Sequence, residues 1–170
     1  MKSTAATALS SSRQLLMMHV LFNYSLIGVV RAELTTASTS QFYNTVEKRW
    51  ATELFDKLGL PYSILAEIVA PGTCLGPLLP LVAEPAGLGG VPVYATGGHD
   101  PASAVAAAPA EGRDWLYTIS GTGSLVGAER DKPAGNDWGL GLDPPNQKGT
   151  GGKHRVVNIL PASVLVGCCH

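Results

Sequence analysis

Apolar residues fall in short runs along this chain, separated by glycine, proline and hydroxyl residues, and the spacing within each run predicts an element. Leu15 to Val30 is the longest apolar stretch, interrupted by His19, Asn23, Tyr24 and Ser25. It falls short of the ~20 residues that span a bilayer and predicts a buried amphipathic helix. A rival reading takes Leu15 to Ala32 as a secretory signal, because Lys2 and Arg13 precede it and a small residue follows. Under that reading Asn23-Tyr24-Ser25 would be a glycosylation sequon. Trp50, Leu54, Phe55 and Leu58 recur at helical spacing, and Gly59 and Pro61 stop that helix. Pro61 opens a second short helix through Ile68. Pro71 to Pro80 predicts a turn with a short hairpin around Gly72-Thr73, Leu81 to Leu88 a connecting helix or loop, and Val91 to Thr96 a buried strand. The alanines from Ala102 to Ala108 predict a helix. Trp115 to Ile119 and Ser124 to Glu129 read as two strands of a hairpin around the small residues Ser120 to Ser124. Residues 1–14 lack apolar periodicity and read as a loose leader, and Arg130 to Asp143 reads as loop. Asn146 to Gly152, with Lys148, Lys153, His154 and Arg155 close by, reads as a solvated basic turn opening a helix, or as a loop close to a substrate.

Composition narrows the class. At 170 residues the chain suits one domain. A net charge of −1 with 15% charged residues offers no electrostatic footprint for nucleic acid or an anionic membrane. The three cysteines, Cys74, Cys168 and Cys169, form no closed disulfide framework, so reduced thiols in a cytoplasmic setting are expected. Nothing in their spacing makes a structural metal site.

Candidate chemistry concentrates between Val91 and Glu129. The strand at Val91 delivers His99-Asp100 to the start of a helix, the place where open α/β sheets put ligands. The turn Ser120 to Ser124 offers backbone N–H groups unobstructed by side chains, a way to hold a phosphate. An acid at one strand end and a phosphate-sized nest at the next suggest phosphoryl transfer. Two plainer readings stand beside this one: Asp100 as a helix N-cap, and Ser120 to Ser124 as an ordinary hairpin turn whose glycines allow positive φ. The hydroxyl run Thr35 to Ser40 is read as a turn and helix cap, or as a wall near a ligand.

The segment GGHDPASAVAAAPA followed by ISGTGSLVGAE resembles the hinge of the FGGY carbohydrate kinases, within them the rhamnulokinases, whose pattern is close to GGHDTASAV and then SGTWSL. Glu33 to Gln41 resembles that family's E-x-T-N-A-S-T-T-Q, Trp50 to Pro61 its W-x-x-x-L-F-x-x-L-G-L-P, and Pro71 to Gly76 its PGTxxG turn. Asn146 to Ile159 is similar to its NEGGxGGxxRxxKNI segment. The collinear order of these motifs, from Leu15 to the C-terminus, carries the resemblance.

The resemblance implies an α/β chain of the actin-like ATPase (ribonuclease H-like) fold, a fragment spanning the end of lobe I (15–88) and the start of lobe II (89–170), with glycines 87–90 at the boundary. It implies ATP-dependent phosphorylation of the primary hydroxyl of a ketose, L-rhamnulose, in rhamnose catabolism. Asp100 would be the catalytic base. His99, Asp100, Pro101 and Asn158 would touch the sugar, and Gly121 and Thr122 the ATP phosphates. ATP and Mg²⁺ are the implied cofactors, a small sugar the implied partner, and the cytoplasm the implied location. Several positions depart from the family pattern. Pro101 replaces Thr, Gly123 replaces Trp, Gln147-Lys148 replaces Glu-Gly, and Val166 stands where a Gln would contact ATP. No D-x-G-T loop precedes Leu15, and that loop organises the metal in this kind of chemistry. The expectation is therefore a truncated kinase of impaired activity, with a non-catalytic remnant that retains at most sugar or partner binding as the alternative.

Overall fold

The computed structural model describes residues 12–112, 115–120, 124–132 and 146–160. The chain divides into two compact units, Met1–Gly98 and His99–His170. The division falls downstream of glycines 87–90.

In the first unit, α1 (Met18–Ile27) ends at Gly28, whose φ of 72° lets its N–H turn back to the Tyr24 carbonyl at 2.7 Å. The expected burial of this helix is not observed. Val20 and Ile27 are its buried residues, while Met18 is 70% and Phe22 66% exposed. The apolar positions encircle the helix instead of forming one stripe, so packing one side leaves the other in solvent. A two-residue strand β1 (Ala32–Glu33) runs parallel to β4 (Ile68–Val69), and α2 (Leu34–Ala37) starts directly from it. Next come the antiparallel pair β2 (Tyr43–Asn44) and β3 (Arg49–Trp50), then α3 (Thr52–Leu58). The helix buries Phe55, whose ring centroid lies 4.7 Å from that of Phe42, and Gly59 closes it at φ 65°. The stop falls where the spacing predicts, but the inward face narrows to Phe55: Leu54 is 37% and Leu58 62% exposed, and Trp50 belongs to β3. The second short helix does not extend to Ile68: a single 3₁₀ turn (Tyr62–Ile64) buries Ile64 and the chain then straightens into β4.

The turn at Gly72-Thr73 exists, with Thr73 N–H donating to the Ala70 carbonyl at 3.2 Å, but it makes no local hairpin. The strands on its two sides have different partners, β4 with β1 and β5 (Cys74–Pro77) with β6 (Pro92–Tyr94). Between β5 and β6, α4 (Pro80–Ala86) begins with proline in its first turn and ends at Gly87. Strand β6 is not buried as the apolar run suggests, since Tyr94 is 52% exposed. It belongs to a two-stranded sheet, which cannot cover both faces. Cys74 is exposed and a free thiol, and Cys168 and Cys169 lie outside the described residues. Among the described residues no helix is long and apolar enough to cross a membrane.

In the second unit, α5 (Asp100–Ala107) is followed by a four-stranded antiparallel sheet of β7 (Tyr117–Ser120), β8 (Ser124–Arg130), β9 (Asn146–Lys148) and β10 (His154–Leu160), in spatial order β7-β8-β10-β9. The predicted hairpin is present, closing with Ser120 opposite Ser124. The helix expected after Gly152 is a strand. Val156, Val157 and Ile159 are β-branched and pair along β8 from His154 opposite Arg130 to Leu160 opposite Ser124. Of the nearby basic residues, Lys148, His154 and Arg155 are buried, while Lys153 stays part-exposed, 3.8 Å from Glu129.

Candidate functional site

His99 and Asp100 open α5. His99 holds the cap position with extended backbone (φ −96°, ψ 106°) and Asp100 is the first helical residue, exposed, with Pro101 beside it. Asp100 is thus not the N-cap that its place before an alanine run suggests. Proline fits the first turn because the N–H it lacks has no helical acceptor there. Alanines then extend the helix at minimal entropic cost, and Ala102 and Val105 face inward. Asn158 lies in β10, its backbone opposite Val126. Gly121 and Thr122, the expected phosphate contacts, lie outside the described residues, as does Val166.

One face of the sheet is organised around Arg155, which is completely buried. Strand register sets Arg155 opposite Glu129 on β8 and Gln147 on β9, and Tyr117 opposite Gly127. Because side chains alternate across a strand, these residues share a face. The Arg155 Nε donates to the Tyr117 hydroxyl at 3.1 Å, and the guanidinium carbon stands 5.5 Å from the centroid of the Tyr117 ring. One terminal nitrogen is 3.4 Å from Gln147 Oε1 and 3.4 Å from His99 Nδ1. The other is buried without a hydrogen-bond partner among the described residues. Burial raises the Tyr117 pKa and the neighbouring Arg155 opposes that shift, so the phenol stays a neutral hydroxyl at neutral pH. Gly127 is required beneath the ring, since a Cβ there would lie 2.6 Å from the Tyr117 hydroxyl oxygen and 2.7 Å from the Val156 carbonyl. On the opposite face, Lys148 Nζ meets His154 Nε2 at 2.7 Å.

The first unit has its own buried charge. Glu33, 2% exposed, accepts from Thr35 N–H at 2.8 Å, Thr36 N–H at 3.3 Å and, across the unit, Gly98 N–H at 3.0 Å. The capping role expected of Thr35 to Ser40 therefore belongs to Glu33. The hydroxyls of Ser38, Thr39 and Ser40 instead donate back to carbonyls three residues earlier. His19 packs against Gly98, where an added Cβ would come within 2.6 Å of its ring. Desolvation lowers the His19 pKa, with Glu33 partly offsetting it.

Neither Glu33 nor Arg155 stands out in the sequence as part of a site. The available signals were an acid directly before a hydroxyl-rich helix start, and an arginine within an otherwise apolar strand. The described residues contain no group of three His, Cys, Asp or Glu able to hold a metal ion.

The pattern of the FGGY family of carbohydrate kinases, N-terminal domain, matches residues 2–107. A rhamnulokinase of Pectobacterium carotovorum is 39% identical over 156 residues, covering 91% of this chain and 30% of its own length. A rhamnulokinase of Bacteroides thetaiotaomicron is 36% identical over 163 residues, covering 96% of this chain and 34% of its own. The chain thus spans about a third of the length of the curated relatives it matches. In architecture it is similar to a xylulose kinase from Lactobacillus acidophilus (TM-score 0.76, 16% identity, 93% of this chain and 32% of that one). It is likewise similar to a gluconate kinase from the same organism (TM-score 0.74, 17% identity, 92% and 31%). These likenesses identify the fold as that of a segment of the actin-like sugar kinases.

Proposed function

Because the chain belongs to the FGGY family of carbohydrate kinases, we propose that it supplies the sugar-contacting and base residues for phosphoryl transfer from ATP to the primary hydroxyl of a ketose, L-rhamnulose. The observation that carries this reading is the opening of α5. There His99, hydrogen-bonded to a buried arginine, is followed directly by Asp100, exposed on the first turn. Helix packing fixes the Asp100 backbone and leaves its carboxylate accessible to a ligand.

In the proposed reaction the Asp100 carboxylate accepts the proton of the sugar hydroxyl as that oxygen attacks the γ-phosphorus, and ADP leaves with the electrons of the broken P–O bond. A base must lie within hydrogen-bond reach of the proton it removes. ATP supplies the phosphoryl group when bound, and Gly121 and Thr122, which follow β7 in the sequence, are the residues we assign to its phosphates. His99, Pro101 and Asn158 complete the sugar contacts, and residues 15–88 and 89–170 correspond to the end of lobe I and the start of lobe II. The expected location is the cytoplasm. Phosphorylation of L-rhamnulose by the full-length protein with ATP tests this. Turnover lost on Asp100→Asn with the fold retained supports it. Undiminished turnover in Asp100→Asn, or no transfer to any ketose, overturns it and leaves sugar or partner binding by a non-catalytic chain as the reading.

A further inference from the structure

We propose that Arg155 is a positioning residue that fixes the tautomer of His99, holding the ring with Nδ1 bare and the proton on Nε2. The Arg155 terminal nitrogen lies 3.4 Å from His99 Nδ1. A guanidinium has five donors, no acceptor, and keeps its proton in proteins. Whenever these two nitrogens are hydrogen-bonded, Nδ1 must therefore be the acceptor. In a neutral imidazole the single proton then resides on Nε2, making that nitrogen a donor.

Arg155 is well suited to this task because it has little freedom of its own. It is fully buried, its Nε donates to the Tyr117 hydroxyl at 3.1 Å, and the same terminal nitrogen that faces His99 also reaches Gln147 Oε1 at 3.4 Å. Gly127 leaves room for the Tyr117 ring that Arg155 packs against, since a Cβ there would lie 2.6 Å from the Tyr117 hydroxyl oxygen. The guanidinium is thus set by the register of three strands, and His99 receives its hydrogen bond from a fixed point. With Gln at position 147 the contact on that flank is to a neutral amide.

The consequence for ligand binding rests on the reading of His99 as a sugar contact: a neutral Nε2–H donates to a hydroxyl oxygen, and the base Asp100 is left as the acceptor for the reacting proton. The division of donor and acceptor between adjacent residues is then enforced from the sheet.

Long-range ¹H–¹⁵N correlation spectra of the full-length protein labelled with ¹⁵N-histidine test the proposal, with His99→Gln identifying the His99 signals. At a pH where the ring is neutral, the wild-type protein is expected to show a pyridine-type Nδ1 and a protonated Nε2. A protonated Nδ1 overturns the proposal without any variant having to fold. In Arg155→Met the two ring nitrogens should move towards averaged shifts, whereas Arg155→Lys, which keeps a charged donor, should retain the wild-type pattern in part. Unchanged nitrogen shifts in a folded Arg155→Met would also overturn it. In the kinase assay, Arg155→Lys should raise KM for the sugar about tenfold, the equivalent of one weakened hydrogen bond, with kcat less affected. The spectra read the tautomer independently of catalysis, so a chain without turnover but with a bare Nδ1 would refute the kinase reading alone.

Discussion

Replacing Glu33 tests how much of the first unit depends on one buried carboxylate. Its Oε1 accepts from Thr35 N–H at 2.8 Å, and its Oε2 accepts from Thr36 N–H at 3.3 Å, Gly98 N–H at 3.0 Å and the Thr35 hydroxyl at 2.5 Å. Glu33→Ala removes the helix cap, a loss of about 1 kcal/mol. It also strips the partly buried Gly98 N–H of a charged acceptor, about 2 kcal/mol more. The expected total is about 3 kcal/mol. Glu33→Gln keeps the shape, and its amide oxygen can take the place of Oε2, where most of the donors converge. Its NH₂ then faces Thr35 N–H, so one bond is lost and the cost should be about 1 kcal/mol. Urea unfolding followed by circular dichroism at constant m-value measures both variants. Amide hydrogen exchange at Thr35 and Gly98 locates the effect. A Glu33→Ala protein within about 0.5 kcal/mol of wild type, or a Gln variant as damaged as the Ala variant, would refute the capping argument.

Further consequences follow from the same contacts. His19 has a lowered pKa in the folded chain, so between that value and the ordinary 6.5 the unfolded chain binds a proton that the folded one does not. Stability should therefore be fully present above pH 6.5, fall on acidification through that window, and flatten below the folded pKa; His19→Gln should remove this component of a urea-midpoint profile. Gly127→Ala should destabilise the second unit by about 1–3 kcal/mol through overpacking against the Tyr117 ring and the Val156 carbonyl, measured by denaturant midpoint, and Tyr117→Ala should recover only part because the carbonyl remains. Phe22→Ser, at a side chain 66% exposed on α1, should change stability by less than about 0.5 kcal/mol; a large loss in the same measurement would mean that this face is covered in solution.

Local elements were legible in the sequence where a short-range rule decides them. Gly59 after the Trp50-to-Leu58 spacing marks the end of α3, the alanine run marks α5, and the small residues after Ile119 mark the β7–β8 hairpin, all because caps, propensity and tight turns act within a few residues. The order of motifs from Glu33 to Ile159 likewise identified the family to which the chain belongs. Pairing across distance was not legible. Nothing local tells the residues flanking Gly72 to pair with β1 and β6 instead of each other, or tells the stretch after Gly152 to join β8 as a strand.

The sequence by itself determined the stop of α3 at Gly59, the β7–β8 hairpin and the His99-Asp100 pair at a helix start. Only the tertiary structure decided that Glu33 caps α2 while holding Gly98, and that Arg155 is buried against Tyr117 within reach of His99. The physical reason is that burial of a charge is set by what closes over it. Arg155 is 38 residues from Tyr117 and 56 from His99, and it takes the register of the folded strands to bring a donor and its acceptors to one point.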